Sequence, residues 1–289
     1  MKYVIINADD FGLTRGVNEG IIKAFKDGIL TSTTAMVNMP AFENAVVLAK
    51  ENPGLGIGIH LVATLGRPVL PAGRIPGLVG SDGLFHRKYA FLVRNLVLGK
   101  IKIKEIEAEF SAQIEKFGNT GLRLTHVDSH QHVHMFPPIL DVVVRLCKKY
   151  NISKIRKPNE RYVISRNVTR GKITYFVQKG QFDRRILSIF SHLADGKFTR
   201  NRIATTDYCY GILHGGEMRE ELLENMLYSL KDGTTEIVCH PGYVDAELRE
   251  LNLWISEQRR MELNALADSS LRKLIEELGI KLISFRELR

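Results

Sequence analysis

The chain has 289 residues, of which 44% are hydrophobic, 25% charged and 8% aromatic. These fractions are typical of a globular protein and exclude a fibre, a disordered tail or a small disulfide-rich scaffold. No apolar run approaches the roughly 18 residues of a membrane-spanning helix, and the first predicted strand passes directly into polar residues, which leaves no room for a signal peptide. The three cysteines are far apart. We therefore expect a reduced, cytoplasmic protein without a disulfide framework.

The positive charge is concentrated in one segment. The formal net charge is +9, and residues 154–202 alone contain 13 Lys and Arg against three acidic residues. A solvated basic face on an insertion at about 157–205 explains this distribution most simply. Contact with a polyanion or a membrane surface is the alternative. Because no RNA-binding motif, zinc finger or glycine-rich phosphate loop accompanies the charge, we expect no nucleic-acid partner.

Short β-rich runs alternate with amphipathic helical stretches along the whole chain. The predicted strands are 3–7, 31–37, 55–60, 122–128, 236–240 and 280–284, and the predicted helices are 16–27, 41–51, 102–117, 137–150, 217–230 and 257–278. This alternation, without a visible boundary, predicts one α/β domain over residues 1–289 with a parallel sheet. The number of strand–helix units favours an irregular (β/α) barrel of seven or eight parallel strands over an open sheet.

Two acidic residues and one histidine follow predicted strands. Asp9 and Asp10 end the first strand, and His60 ends the third. Neighbours on a strand point to opposite faces, so both carboxylates can enter one pocket only if the strand breaks near Phe11. The simpler alternatives are a helix-capping turn at the aspartates and a buried structural histidine at position 60.

A histidine-rich segment gives the strongest chemical signal. His126, Asp128, His130, His132 and His134 occupy alternate positions, and they share one face if the predicted strand continues. Burying several imidazoles with a carboxylate is costly unless they have a partner. A divalent cation supplies one, because both groups are common metal ligands. A solvent-exposed histidine tract fits poorly beside the apolar residues of this segment.

His240 ends one more apolar strand and is followed by turn residues. On its own, it could equally be a buried histidine before a loop. Together with the other strand ends it completes a set of aspartates and histidines expected on one rim of the barrel. Such a set leaves open positions on a metal ion for water and substrate, which is typical of hydrolytic sites. A Gly-x-Ser-x-Gly nucleophile motif is absent from the sequence.

Five motifs resemble the YdjC-like carbohydrate deacetylases, which include the chitooligosaccharide and hopanoid-associated deacetylases. They are Asn7–Gly12, Thr31–Thr34, Gly58–His60, Thr125–Pro137 and Cys239–Gly242. The resemblance implies an irregular (β/α) barrel of the NodB-deacetylase kind and a divalent metal. Magnesium is the first choice, with zinc or another first-row ion as alternatives. It also implies a hydrolase that removes N-acetyl groups from a small amino-sugar-containing substrate.

The resemblance also implies roles for individual residues. Asp10, His60 and His126 would be the metal ligands, Asp9 the general base and His240 the acid that protonates the leaving amine. His126 and His130 both match the family's His-x-x-x-His spacing, so either or both could bind the ion. Arg156, Asp128 and His130 would support the ligands or the substrate.

Two other functions are compatible with the sequence. A retaining glycosidase needs two carboxylates on opposite sides of the scissile bond, about 5 Å apart, and the adjacent Asp9 and Asp10 are poorly placed for this. A non-catalytic sugar- or polyanion-binding protein would use the basic segment instead. A homodimer is compatible with either reading.

Overall fold

The computed structural model describes residues 1–160 and 187–289. Residues 161–186, which form much of the predicted basic insertion at about 157–205, lie outside the described residues. The strands are β1 (Lys2–Phe11), β2 (Ser32–Ala35), β3 (Gly56–Leu61), β4 (Leu124–Ser129), β5 (Tyr208–Tyr210), β6 (Gly233–Cys239) and β7 (Lys281–Leu282).

Helices connect these strands in the described part of the chain. They are α1 (Arg15–Asp27), α2 (Phe42–Glu51), α3 (Tyr89–Val97), α4 (Ile103–Gly118), α5 (Pro137–Lys149), α6 (residues 187–200), α7 (Glu220–Ser229), α8 (Ala246–Glu250), α9 (Gln258–Leu266) and α10 (Ser269–Glu277). The single helix predicted at 257–278 is in fact α9 and α10, because Asp268 accepts a hydrogen bond from the Ser270 amide and starts a new helix. Helix α3 was not predicted. None of the described helices meets the length and apolarity needed to cross a membrane.

All strand pairs are parallel, and the sheet has the order β4-β3-β2-β1-β6-β5, with β7 paired to the start of β1. Residues 154–160 lie between the two edge strands and make isolated bridges, Val127 with Ile155 and Glu160 with Cys209. The sheet is therefore curled into a half-barrel. The predicted α/β class and parallel strands are confirmed. The seven described strands form no continuous closed barrel, because 154–160 contributes single bridges rather than a strand.

The concave side of the sheet is apolar at one end and charged at the other. Near the start of β1, Ile5 packs with Phe285 and Leu288 from the C-terminal segment. The ring of His126 stacks on Phe285 with centroids 3.6 Å apart. Asp9 and Asp10 lie beyond these apolar contacts, at the carboxyl ends of the strands. Active sites of such folds form at these ends.

The histidine-rich segment does not continue as a strand. β4 ends at Ser129, and His130–Met135 form a 3₁₀ turn in which Gln131 and His132 have φ of 56° and 54°. The expectation that positions 126–134 share one strand face is therefore wrong beyond Ser129. The Ser129 hydroxyl explains the break, because it accepts the His134 amide N–H at 2.9 Å and so satisfies a backbone group that a continuing strand would have paired.

His134 ties this turn to the neighbouring segment. Its Nε2 donates to the Arg156 carbonyl at 3.0 Å, which leaves Nδ1 to accept from the Ser129 hydroxyl at 2.6 Å. Burial lowers the pKa of His134 to about 4. The folded protein therefore keeps this ring neutral at pH values where the unfolded chain, with a pKa of about 6.5, takes up a proton.

This depressed pKa predicts loss of stability in acid. Between pH 6.5 and about 4 the unfolded state binds the extra proton, so His134 should lower the free energy of unfolding by up to about 1.4 kcal/mol per pH unit as the pH falls. In His134→Gln that contribution should disappear from the slope of stability against pH, as measured by denaturant unfolding. The exposed His192→Gln is the control. An unchanged slope in His134→Gln would contradict the role given to this ring.

Candidate active site

The end of β1 sends two adjacent carboxylates to the same side of the sheet. Asp10 has a left-handed φ of 70°, and the pairing of β1 with β2 shifts register between Ala8 and Phe11. This irregularity cancels the usual alternation of side chains. The turn is fixed by Asn18 of α1, whose side-chain oxygen accepts the Gly12 amide at 2.6 Å. Both carboxylates could enter one pocket only if the strand broke near Phe11. The bulge in β1 provides this break.

Asp10, His60 and His130 bring three potential metal ligands together. Asp10 Oδ1 lies 3.6 Å from His60 Nε2 and 3.6 Å from His130 Nδ1, and this oxygen is buried without a hydrogen-bond partner. These separations exceed a hydrogen bond. They are close to the roughly 3.4 Å expected between two ligands of a tetrahedral ion with bonds of about 2.1 Å. The donors present therefore fit a divalent cation.

Other buried side chains orient two of these ligands. The His60 Nδ1 faces Asp128 Oδ1 at 2.7 Å, which leaves Nε2 directed at Asp10. Arg259 donates to Asp10 Oδ2 and leaves Oδ1 free. A histidine held by a carboxylate on its far nitrogen is a common arrangement around bound metals.

The same contacts set the charges of the group. Burial alone would raise the pKa of Asp10, but Arg259 and the two histidines outweigh it and hold that pKa well below its usual value. Burial would lower the pKa of His60, but Asp128, Asp9 and Asp10 raise it to about 9. Without a cation, His60 therefore carries the positive charge that this pocket requires, and a bound cation would replace that proton.

Arg156 is the centre of a second, fully buried group. Its guanidinium donates to both oxygens of Asp9 at 2.7 and 2.8 Å, contacts Asp128 Oδ2 at 2.6 Å and donates through Nε to Glu236 at 2.8 Å. Burial would raise the pKa of Asp9, but Arg156 outweighs it and keeps Asp9 ionised, whereas burial raises the pKa of Glu236 to about 7. Asp9, His60 and Asp128 are also close enough together to surround an ion. Because Arg156 already neutralises these carboxylates, the Asp10 group is the better cation site.

His126, an expected metal ligand, lies apart from both groups. Its ring stacks on Phe285, its Nδ1 faces the Thr125 hydroxyl at 2.8 Å, and a side chain at Gly58 would collide with it. Burial lowers the pKa of His126 to about 3, so the ring is neutral. The structure thus brings Asp10 and His60 together with His130, and it does not bring His126 to them.

His240 lies on the same edge of the sheet as the aspartates. It follows β6 directly, and Cys239 pairs with Ala8, the residue before Asp9. Its backbone N–H donates to Glu262 at 2.5 Å, and its ring Nδ1 is buried without a partner. A ring nitrogen without a partner can exchange a proton with a bound molecule.

Sequence reasoning missed Glu236, Arg259 and Glu262. Glu236 had one signal in the sequence, a charged residue directly before the apolar run 237–239, and it lies inside β6 rather than at its beginning. Arg259 and Glu262 left no such signal, because they lie in a polar helix and Arg259 contacts a residue 249 positions away.

Comparisons with known proteins identify the family of this chain. The family model described as YdjC-like protein matches residues 3–277. A carbohydrate deacetylase from Geobacillus stearothermophilus is 34% identical over 287 residues, covering 99% of this chain and 98% of its own, and one from Brevibacillus brevis is 34% identical over 286 residues, covering 99% of each. A crystal structure from Enterococcus faecalis V583, named as a candidate cellobiose-phosphate cleavage protein, superimposes with a TM-score of 0.76 at 31% identity over 98% of this chain and 97% of its own. The family suggested by the sequence motifs is confirmed, and this chain belongs to the YdjC-like proteins.

Proposed function

We propose that this protein is a divalent-metal-dependent hydrolase that removes N-acetyl groups from an amino-sugar-containing carbohydrate. One observation carries the proposal: Asp10, His60 and His130 converge around a buried carboxylate oxygen that has no partner. Relatives named carbohydrate deacetylases, which match over nearly the whole chain, support the reaction and the substrate class.

Asp10, His60 and His130 are the proposed ligands, with His130 in the place that the family resemblance gave to His126. Magnesium was the ion first expected. Two imidazole nitrogens with one carboxylate also suit zinc or another first-row ion. His130 keeps 19% of its side chain exposed, so one side of the group is open to a substrate. A bound divalent ion would supply Lewis-acid polarisation of the acetamide carbonyl and make a nearby water more acidic.

The chain's own residues supply the proton transfers in this proposal. Asp9 is ionised and held in place by Arg156, so it can take the proton of the attacking water. His240 stands on the neighbouring strand end and gives a proton to the amine as it leaves. Asp9 and Asp128 both bind the same guanidinium. They therefore flank one guanidinium, whereas a glycosidase requires two carboxylates on opposite sides of the scissile bond.

The ligand assignment is tested by two matched substitutions. We expect His130→Gln to weaken Zn²⁺ or Mn²⁺ binding by roughly 100-fold or more, because even residues that only orient a ligand are worth 10–100-fold. We expect His126→Gln to bind the ion normally, since its ring lies against Phe285. Isothermal titration calorimetry measures both, with circular dichroism to verify folding. Loss of binding in His126→Gln and not in His130→Gln would reverse the assignment.

The reaction is tested by acetate release from a panel of N-acetylated mono- and oligosaccharides. We expect release with the wild-type protein, loss of release with chelator, and recovery when metal is added back. Asp9→Asn should lower the rate by about 10²–10⁴-fold while still binding metal, because it removes the proton acceptor. Asp232→Asn, a substitution of an exposed carboxylate, is the control. Release of reducing sugar without acetate, or full activity in Asp9→Asn, would refute the proposal.

A further inference from the structure

Helix α9 carries two buried charged side chains toward the site. Arg259 and Glu262 lie three residues apart, and therefore on one face of the helix, and their exposed fractions are only 2% and 0%. Burying an ion is costly unless it is paired. Both residues find their partners among the residues at the carboxyl ends of β1 and β6 and in the loop before α7.

Glu262 joins the end of β6 to the loop that precedes α7. One of its oxygens accepts the His240 amide at 2.5 Å, and the other accepts the Gly216 amide at 2.6 Å. The same loop approaches the imidazole closely, since a side chain at Gly215 would begin 3.5 Å from His240 Cε1. The carboxylate thus fixes both the backbone of His240 and the loop that packs beside its ring.

The position of the His240 ring depends on this backbone contact. The ring's Nδ1 is buried and has no hydrogen-bond partner, so no hydrogen bond at that atom fixes the ring. The charged neighbours of Glu262 are His240 and Arg259, and the Cys239 thiol also lies within electrostatic range. The ring is therefore placed by its backbone and by the packing of the loop that contains Gly215.

Arg259 fixes the other half of the site. Its guanidinium donates to Asp10 Oδ2 and leaves Oδ1 directed at the two histidines. Its backbone carbonyl accepts the Gly242 amide at 3.2 Å, so the start of α9 also holds the loop that follows His240. The loop is closed from the other side by α1, because a side chain at Gly20 would begin 2.5 Å from the Gly242 Cα.

We infer that α9 positions both halves of the site, Arg259 by orienting the ligand Asp10 and Glu262 by placing His240 and the loop beside its ring. The inference rests on the proposed function for the role of His240. Glu262 and Arg259 are positioning residues, because neither is placed in contact with the reacting atoms.

The two side chains should have different effects when they are changed separately. Glu262→Gln removes the negative charge and one acceptor. We expect kcat to fall about tenfold or more with KM and metal affinity unchanged, because the proton donor is no longer held in place. Hydrogen exchange at the His240 and Gly216 amides should become faster. Arg259→Gln should instead weaken Zn²⁺ binding by roughly 10–100-fold.

Three further variants complete the experiment. Glu257→Gln and Arg260→Gln change exposed charges on the same helix or at its start, and both should behave as wild type. Glu262→Asp keeps the charge but shortens the reach, so it should also leave the His240 and Gly216 amides unprotected. Circular dichroism establishes whether each variant is folded. If Glu262→Gln does not fold, Glu262→Asp is used in its place.

The outcomes separate this inference from the proposed function. If the wild-type protein releases no acetate, the proposed function fails, and calorimetry with amide exchange still tests the two contacts of α9. Equal losses of metal affinity in both variants, or unchanged kcat with unchanged amide exchange in Glu262→Gln, would overturn the inference.

Discussion

Compensation of buried charge is the constraint on which this site depends. Three carboxylates surround the guanidinium of Arg156, and all of these side chains are buried. Leaving one of such ions without its partner costs about 3–5 kcal/mol. Arg156 holds Asp128, Asp128 directs the His60 ring, and His60 Nε2 then faces Asp10. This chain of pairings leads to the Asp10 Oδ1 oxygen, which has no hydrogen-bond partner.

Irregular backbone brings the ligands to that place. Asp10 adopts a left-handed conformation in the bulge of β1, and Gln131 and His132 adopt it in the turn that presents His130. Such conformations cost roughly 1–3 kcal/mol each and are retained where the surrounding structure requires them. Here the Asn18 and Ser129 side chains supply the hydrogen bonds that hold the two turns. If both strand ends were regular, Asp9 and Asp10 would point to opposite faces of the sheet. β4 would then also continue past Ser129, and His130 would be a strand residue.

The sequence was sufficient for the part of the site that follows from topology. Asp9, Asp10 and His60 end parallel strands of one sheet, and parallel strands end at a common edge, so their meeting could be predicted without coordinates. The choice between His126 and His130 as the metal ligand could not be predicted from the sequence, because it depends on the residue at which β4 ends. That residue is set by the hydroxyl of Ser129 and by packing of His126 against Phe285, a contact between distant parts of the chain. Arg259 and Glu262 act across similar separations, and the curl of the sheet depends on single bridges that no periodicity reveals.

The most direct test of the account is a crystal structure of the wild-type protein loaded with Zn²⁺ or Mn²⁺, with data collected at the metal absorption edge. The account predicts one anomalous peak within bonding distance of Asp10 Oδ1, His60 Nε2 and His130 Nδ1, about 2.0–2.2 Å from each for zinc. A peak on His126 instead of His130, or one that displaces Arg156 from between Asp9 and Asp128, would contradict it.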